Sequence, residues 1–382
     1  MISISTLLDP RYVFLIYAPL LFALNKRVGH RMILALTLAE WANQILKWLL
    51  AGERPYWYVH ERARELSAGA PAAGSGLSLG LNATDEQGNN FVLPVGASSL
   101  ATLQLKQFPV TCELGAGSPS GHAMVTATVW YILIDAYLKN ELPLLERVNY
   151  FQINARAEEQ SRGEKSGEGS SSLARLSWSM YTLMLISVSL SRVYLACHFP
   201  HQCVCGALLG ALTARLVTEH VPMERLHKQH FAALTLFMFA TAMATYGLLR
   251  LSGFDPLWSV DKAMRWCAKK EYIHMDTTPF FSMMRYLGFC LGVGLAYDPS
   301  KIQLAQASAQ DTRAKASGPV LLARRLAGAS LAVVFGQVLL AAPMPRAYLN
   351  LFYASQFVLY TLFAYAMAGP LPKLNKRLVP VS

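Results

Sequence analysis

The chain has 382 residues, of which 53% are hydrophobic and only 15% are charged, and its formal net charge is +11. Soluble proteins usually carry about 25% charged residues, so this composition argues against a chain made only of soluble domains. The positive charge does not form a basic stripe interleaved with aromatic residues, so nucleic acid is not an expected partner.

Apolar stretches of about 17–25 residues, the length that spans a bilayer, recur along the whole chain. In chain order the predicted spans are a short first stretch at 12–24, then 31–50, 119–138, 176–196, 202–218, 231–251, 279–297, 326–342 and 348–368. Backbone polar groups in lipid must be satisfied within each span, which favours helices. The sequence therefore predicts an all-α integral membrane protein with about nine transmembrane helices in a single polytopic domain, 1–382. The first stretch follows Asp9 and Arg11 rather than a basic leader, so we expect an uncleaved anchor there.

Three connecting segments, 62–104, 153–175 and 303–318, are rich in Gly, Ser, Ala and charged residues. Such a composition cannot form a packed core, so flexible insert loops are expected. The first of them contains Asn82-Ala83-Thr84, which is an acceptor sequence for N-glycosylation.

The sidedness of the connections follows from the basic segment 25–31, "NKRVGHR". Short basic connections face the cytosol. Counting alternate connections from there, 51–118, 197–201 and 252–278 fall on the opposite, lumenal or extracellular side, together with the glycosylation sequence. The four basic residues in 252–278 run against this count.

The six cysteines have no spacing typical of a zinc site, and no other cluster of metal ligands is apparent. We expect them to be small buried residues of a helix bundle. No metal or other cofactor is expected.

The first segment with chemical potential is "KWLLAGERP", 47–55. Lys47 and Arg54 are seven residues apart, which places them on one face if the helix continues to Pro55 and ends there. They could be cations that snorkel from a helix end, or two cations directed at one anion. Glu40, two turns before Lys47, is expected to pair with it.

The second segment is "GSPSGHAM", 117–124. Ser118 is predicted to cap a helix whose first residue is Pro119. The N–H groups of Ser120, Gly121 and His122 would then be unpaired at a helix N-terminus, where they bind anions. His122 is placed to donate a proton to a group that leaves phosphorus. The alternative is a capped membrane helix with an interfacial histidine.

The third segment is "SRVYLACHFPHQ", 191–202. Pro200 disfavours helix at the residue before it, so we expect the helix to end near Cys197 and the chain to turn. Arg192 and His198 can then converge, whereas His201 is expected to be structural. All three segments fall on the same side of the membrane by the count above, which favours one phosphate site over three unrelated groups of interfacial cations.

In this order, Lys-x6-Arg-Pro, Pro-Ser-Gly-His and Ser-Arg-x5-His resemble the signature of the type 2 phosphatidic acid phosphatase superfamily. Within it the chain resembles the glucose-6-phosphatase catalytic subunit family. The resembling segments are "KWLLAGERPYWYVHE", "FPVTCELGAGSPSGHAM", "SRVYLACHFPHQ", "VPMER" and "WSVDKAMRWCAKKEYIHMDTTPF". The catalytic core is expected at about 31–218.

This resemblance implies a glycoprotein of the endoplasmic reticulum membrane that acts in gluconeogenesis. With its active site in the lumen, it would hydrolyse glucose 6-phosphate to glucose and inorganic phosphate. His198 would be the nucleophile, forming a phosphohistidine, and His122 the proton donor. The phosphoryl oxygens would be held by Lys47, Arg54, Ser120, Gly121 and Arg192. A lumenal site also implies functional coupling to a glucose 6-phosphate transporter.

The chain departs from the wider superfamily four residues after the nucleophile, where Gln202 stands in place of an aspartate. A neutral imidazole needs a partner on its second nitrogen. We expect Asp9, at the lumenal end of the first span, or Gln202 to orient His198. The alternative functions are a phosphatase of the same superfamily acting on a lipid phosphate or another phosphomonoester, a weakly active family member, and a non-catalytic membrane protein.

Overall fold

The computed structural model describes residues 9–68, 81–84, 90–93, 105–139, 141–142, 168–300, 318–343 and 348–378. These residues form twelve α-helices, three single-turn 3₁₀ helices and one antiparallel hairpin. The helices are α1 Pro10–Leu24, α2 Lys26–Leu50, α3 Pro55–Ala68, α4 Gly121–Leu138, α5 Glu168–Tyr194, α6 Pro200–His220, α7 Lys228–Leu251, α8 Trp258–Trp266, α9 Pro279–Ala296, α10 Gly318–Leu340, α11 Leu349–Ala368 and α12 Pro370–Leu378. The hairpin pairs β1 Leu81–Thr84 with β2 Asn90–Leu93.

The helices confirm the predicted all-α architecture of a multi-pass membrane protein. Each of the nine predicted spans coincides with one of these helices, and α1 contains a π-helical stretch at Val13–Tyr17. Within the described residues, five helices are long and apolar enough to cross a membrane. The count of nine crossings remains a prediction. Several of the other helices carry buried polar side chains, such as Glu40 on α2, His122 on α4 and Gln202 on α6.

The part of the bundle that positions the site is α4, which packs between α2 and α6. Glycines allow α6 to approach α4 closely, because a Cβ on Gly206 would meet the carbonyl oxygen of Ser120 and one on Gly210 that of Met124. The first residues of the two helices therefore lie side by side, and the Ser120 N–H donates to the Gln202 carbonyl at 3.0 Å. A second group of helices, with α9 packed on α11, completes the core.

Two local expectations about the chain near α2 are wrong. The helix ends at Leu50, because Ala51 takes a left-handed conformation with φ 45°. Pro55 does not end α2; it is the first residue of α3, the position where its missing N–H costs no hydrogen bond. Arg54 therefore lies in the connection between two helices and does not share a helix face with Lys47.

The predicted insert loops are only partly within the described residues. Segment 62–104 begins inside α3 and contains the hairpin, with Asn82 in β1, and segment 153–175 includes the first residues of α5. The rest of these two segments and 303–317 lie outside the described residues.

The cysteines are not all unpaired buried residues as expected, because Cys112 and Cys267 form a disulfide with a Cα–Cα distance of 5.9 Å. It joins the segment before α4 to the segment after α8. Part of the basic charge of 252–278 is also accounted for here, since Lys262 forms ion pairs with Glu53 at 2.7 Å and Glu61 at 2.6 Å.

Candidate active site

The three sequence segments meet at a cavity of about 120 Å³ at one end of the bundle. Its lining includes Lys47, Glu113, Gly121, His122 and Arg192. Two further predicted residues, Arg54 and His198, are fully buried, and both contact Glu113 of this lining. The structure thus brings together the cations and histidines that the sequence singled out.

Arg54 is fixed by carbonyl oxygens on three sides. Its Nε donates to Gly115 at 2.7 Å, and its two terminal nitrogens donate to Cys197 at 3.0 Å and Ala116 at 3.2 Å. The same guanidinium forms an ion pair with Glu113, with Nη2 2.9 Å from Oε2. A guanidinium held by this many acceptors places a fixed positive charge beside Glu113, which lines the cavity.

Arg192 lies in the last turn of α5 and is also fully buried. Its Nη2 pairs with Oε1 of Glu113. Its carbonyl oxygen accepts from the backbone N–H groups of Cys197, at 3.1 Å, and His198, at 3.4 Å. The turn after α5 is therefore closed on Arg192, which is how Arg192 and His198 converge as predicted.

His198 is oriented by the backbone of the segment before α4. Its Nδ1 lies 2.7 Å from the carbonyl oxygen of Gly117, and its Nε2 lies 3.3 Å from Nη1 of Arg54. Because a guanidinium only donates, Nε2 must accept and Nδ1 carries the proton. Burial, reinforced by the charge of Arg54, holds the pKa of His198 well below its usual range, against the opposing charge of Glu113. The imidazole is thus neutral, with its lone pair on Nε2 directed at the cations.

The prediction that Asp9 orients His198 is wrong. The Oδ2 atom of Asp9 lies 3.6 Å from Nε2 of His122, on the other side of the site. Gln202 is close to His198, with Oε1 3.3 Å from Nδ1, but the Gly117 carbonyl is the nearer partner. Gln202 chiefly fixes the turn, since Oε1 accepts from the Phe199 N–H at 3.1 Å.

His122 lies between two carboxylates. Its Nε2 faces Asp9, and its Nδ1 is 3.4 Å from Oε1 of Glu113. Asp9 is itself held by Arg11, which donates to Oδ1 from its backbone N–H at 2.8 Å and from Nε at 3.0 Å. Burial opposes ionisation of Asp9, but hydrogen bonding to His122 and the nearby Arg11 outweigh it and lower its pKa. The two carboxylates support a positive charge on the imidazole, whereas burial and the charge of Arg192 oppose it.

The helix that begins with this motif starts later than predicted. Its N-cap is Ser120, with an extended backbone at φ −69° and ψ 115°, and its first residue is Gly121. Ser118 is not the cap, Pro119 is not the first helical residue, and the Ser120 N–H is occupied by the Gln202 carbonyl. The amides of Gly121 and His122 are the first two of α4 and lack intrahelical acceptors.

Ser120 lies buried at the start of α4, and Asn43 lines the cavity. The buried Ser120 hydroxyl makes no hydrogen bond of ordinary geometry within the described residues, although the Cys203 thiol lies close enough to interact with it. Asn43 Nδ2 donates to the Pro119 carbonyl at 3.1 Å and so anchors the segment before α4.

The expected pairing of Glu40 with Lys47 is wrong. Glu40 forms its ion pair with Arg285 of α9, with Oε2 3.0 Å from Nη2. Lys47 lines the cavity, and its Nζ lies close to Gly115, 3.6 Å from the position that a Cβ there would take. Its ammonium is therefore available on the same wall as the two arginines.

Glu113 is the residue of the site that the sequence reasoning missed. Its carboxylate pairs with Arg54 and Arg192, and lies 3.4 Å from His122 and 3.7 Å from His198. Burial opposes its ionisation, but the charges of Arg192 and Arg54 hold the pKa of this carboxyl well below its usual range. The available signal was a lone acidic residue in a segment between cationic motifs.

Two guanidinium groups, an ammonium and a helix N-terminus around one cavity form a binding site for an oxyanion. The neutral imidazole of His198 and the carboxylate-paired imidazole of His122 are groups of the kind that act as a nucleophile and a proton donor. Among the described residues, no group of three or more His, Cys, Asp and Glu side chains is placed to hold a metal ion.

Comparison with known proteins gives a consistent result. Residues 29–226 match the model of the PAP2 superfamily. Glucose-6-phosphatase 2 of Mus musculus is 37% identical over 298 residues, which cover 75% of this chain and 67% of the relative. Glucose-6-phosphatase catalytic subunit 1 is 35% identical over 300 residues in Rattus norvegicus, covering 78% of this chain and 70% of the relative. In Haplochromis nubilus it is 32% identical over 313 residues, covering 79% and 73%. No solved structure matches.

Proposed function

Because the chain belongs to the glucose-6-phosphatase catalytic subunit family of the PAP2 superfamily, we propose that it hydrolyses glucose 6-phosphate to glucose and inorganic phosphate. The observation that carries the mechanism is that the two imidazoles lie beside different oxygens of the Glu113 carboxylate. Nε2 of His198 and Nδ1 of His122 lie 3.7 and 3.4 Å from its two oxygens. An anion in that position has a nucleophile on one side and a proton donor on the other.

The phosphoryl group of the substrate binds where its oxygens meet Arg54, Arg192 and Lys47 and the first amides of α4. The Gly121 N–H contributes from the backbone, and the Ser120 hydroxyl adds a donor. Negative charge on the equatorial oxygens is met by donors that are already in position, which lowers the barrier for transfer.

In the first step, Nε2 of His198 attacks phosphorus and the bond from phosphorus to the sugar oxygen breaks. His122 gives its proton to that oxygen, and glucose leaves. The Gly117 carbonyl holds the proton on Nδ1 of His198 throughout, so the attacking nitrogen keeps its lone pair. The product of this step is a phosphohistidine.

In the second step, neutral His122 accepts a proton from a water molecule, whose oxygen attacks the phosphohistidine. The phosphorus–nitrogen bond breaks, inorganic phosphate is released, and both imidazoles return to their starting state. Dividing one displacement into two through a covalent intermediate replaces a difficult step by two easier ones.

We further propose that this site faces the lumen of the endoplasmic reticulum. The disulfide between Cys112 and Cys267 supports an oxidising compartment, where disulfides persist. It also joins two segments that the charge count assigns to the same side of the membrane. The count assigns the acceptor residue Asn82 to that side as well. A lumenal site requires glucose 6-phosphate to enter from the cytosol, so the enzyme is functionally coupled to a transporter. The catalytic core spans about 31–218, supplemented by Asp9 of the preceding segment.

Hydrolysis by the purified full-length protein tests this proposal. Wild type is expected to release phosphate from glucose 6-phosphate faster than from phosphatidic acid. The His198→Ala variant is expected to lose about 10⁴-fold or more of kcat. His201→Ala is the matched control, because His201 is exposed and stacks on Phe199 with ring centroids 5.9 Å apart. Preference for phosphatidic acid, or full activity of His198→Ala, would contradict the assignment.

A further inference from the structure

The carboxylate of Glu113 lies in the position that the mechanism gives to the phosphoryl group. Its Oε2 atom faces Arg54 and Nε2 of His198, and its Oε1 atom faces Arg192 and Nδ1 of His122. The same nitrogen atoms must contact phosphoryl oxygens or reach the reacting atoms when substrate is bound. Glu113 and a phosphoryl group therefore cannot occupy the site together.

The two arginines explain why a carboxylate is present there. Arg54 and Arg192 are fully buried, and a buried charge without a counter-ion is strongly unfavourable. Glu113 supplies the negative charge, and its side chain is 15% exposed toward the cavity that it lines. An internal anion of this kind balances the charge of the arginines and keeps them in place before substrate arrives.

The backbone around Glu113 is held on both sides, so the carboxylate can leave only by rotation of its side chain. Its carbonyl oxygen accepts from the Tyr56 hydroxyl at 3.1 Å. The preceding Cys112 is tied by its disulfide, and the N–H of the following Leu114 donates to Thr277 at 3.2 Å. The adjoining cavity provides the space into which the side chain can turn.

We propose that Glu113 is an exchangeable counter-anion of the phosphate site, which yields to the incoming phosphoryl group and returns to expel inorganic phosphate after the reaction. This inference rests on the proposed function of the same site. Every phosphate that binds must displace an anion already paired with the arginines, so the apparent affinity for phosphate is lowered by that competition. A phosphate dianion brings two charges where the carboxylate has one, which favours exchange for dianions over singly charged competitors.

The test is the affinity of the full-length protein for inorganic phosphate, measured near neutral pH from the rise in unfolding temperature with phosphate concentration. Glu113→Gln removes the charge and keeps the shape. Its phosphate dissociation constant is expected to fall about tenfold, equivalent to about 1.4 kcal/mol. Without phosphate, the variant should unfold at a lower temperature than wild type, because its arginines lack their counter-ion.

The matched control is Glu61→Gln, which removes a carboxylate that pairs with Lys262 outside the cavity and should leave the dissociation constant unchanged. If Glu113→Gln does not fold, Glu113→Asp decides, since a shorter side chain reaches the arginines less well and should lower the constant by a smaller factor. An unchanged or raised constant in whichever variant folds would overturn the proposal.

Measuring hydrolysis of glucose 6-phosphate by wild type beside these phosphate affinities separates this inference from the proposed function. Tighter phosphate binding in Glu113→Gln without hydrolysis of glucose 6-phosphate by wild type would retain the counter-anion and reject the substrate. Hydrolysis by wild type with no change in phosphate affinity would do the reverse.

Discussion

The two halves of the site, one around His198 and one around His122, are built from opposite kinds of partner. His198 is held by the neutral carbonyl of Gly117 and faces the positive charge of Arg54. His122 lies between the carboxylates of Asp9 and Glu113. The first environment leaves the Nε2 lone pair of His198 free, and the second places a carboxylate beside each ring nitrogen of His122, where it can support a positive charge on the ring. The surroundings, rather than the histidines themselves, thus distinguish the proposed nucleophile from the proposed acid.

The most direct way to break this division is to remove the acid while keeping the nucleophile. His122→Asn is expected to lower kcat for glucose 6-phosphate by about 10²–10⁴-fold, the usual contribution of general acid–base catalysis. With 4-nitrophenyl phosphate, whose leaving group needs no proton, the first step should persist. Stopped-flow absorbance should then record a burst of one nitrophenolate per protein, followed by slow turnover.

His198→Ala is the control for the burst, because a protein without the nucleophile should show none. If His122→Asn slows the first turnover of both substrates equally, His122 is not the proton donor of that step, and the two halves do not differ in the way the carboxylates indicate.

The half around His198 depends on a glycine. A Cβ on Gly117 would meet the Glu53 carbonyl oxygen and lie 2.9 Å from the Gln202 amide, so Gly117→Ala must displace the carbonyl that orients His198. Misplacement by about 1 Å costs about 10²-fold in rate, and we expect a loss of kcat of that size with little change in inhibition by inorganic phosphate. Gly247→Ala, at a helix position with open space around it, should retain wild-type kcat. An active Gly117→Ala would show that the carbonyl is not needed.

The sequence located nine of the twelve α-helices and the three motifs because both signals are local, whereas the less apolar helices α3, α8 and α12 were not predicted. An apolar stretch long enough to span a bilayer stands in consecutive residues, and each motif lies within a few residues of chain. The turn that joins Arg192 to His198 was predictable for the same reason, since Pro200 disfavours helix just before it.

The partners of the histidines could not be predicted, because packing of distant segments chooses them. Asp9 was assigned to the wrong histidine, and nothing local marks the Gly117 carbonyl as the group that holds His198. Glu113 stands in a segment without periodicity, and only the folded chain shows that it faces four cationic or titratable groups. The pairing of Cys112 with Cys267 likewise joins residues 155 positions apart.

The half around His122 can be weakened without removing the acid. Asp9→Asn keeps the shape but loses an ion pair to the imidazolium, worth about 1.4 kcal/mol or about tenfold in kcat. The loss should appear with glucose 6-phosphate but not in the burst with 4-nitrophenyl phosphate, and the basic limb of the pH profile should move to lower pH. Asp276→Asn is the control, because Asp276 pairs with the same Arg11 at 2.6 Å. Equal losses in both variants would indicate a structural role for Arg11 alone.

The smallest expected effect is a pH dependence of stability that belongs to the His198 half. The pKa of His198 is held well below its usual 6.5, chiefly by burial and then by Arg54. The unfolded chain therefore binds a proton at His198 where the folded chain does not, and stability falls as the pH is lowered below 6.5. The loss is at most about 1.4 kcal/mol per pH unit.

The measurement is made between pH 7 and 5, above the pH at which a glutamate side chain usually titrates. Over this range the unfolding temperature of His198→Gln should decline less than that of wild type, whereas the exposed control His201→Gln should follow wild type. If the unfolding temperature of His198→Gln declines as steeply as that of wild type, the fold does not keep the imidazole of His198 neutral. The contrast between the two halves would then rest on the carboxylates beside His122 alone.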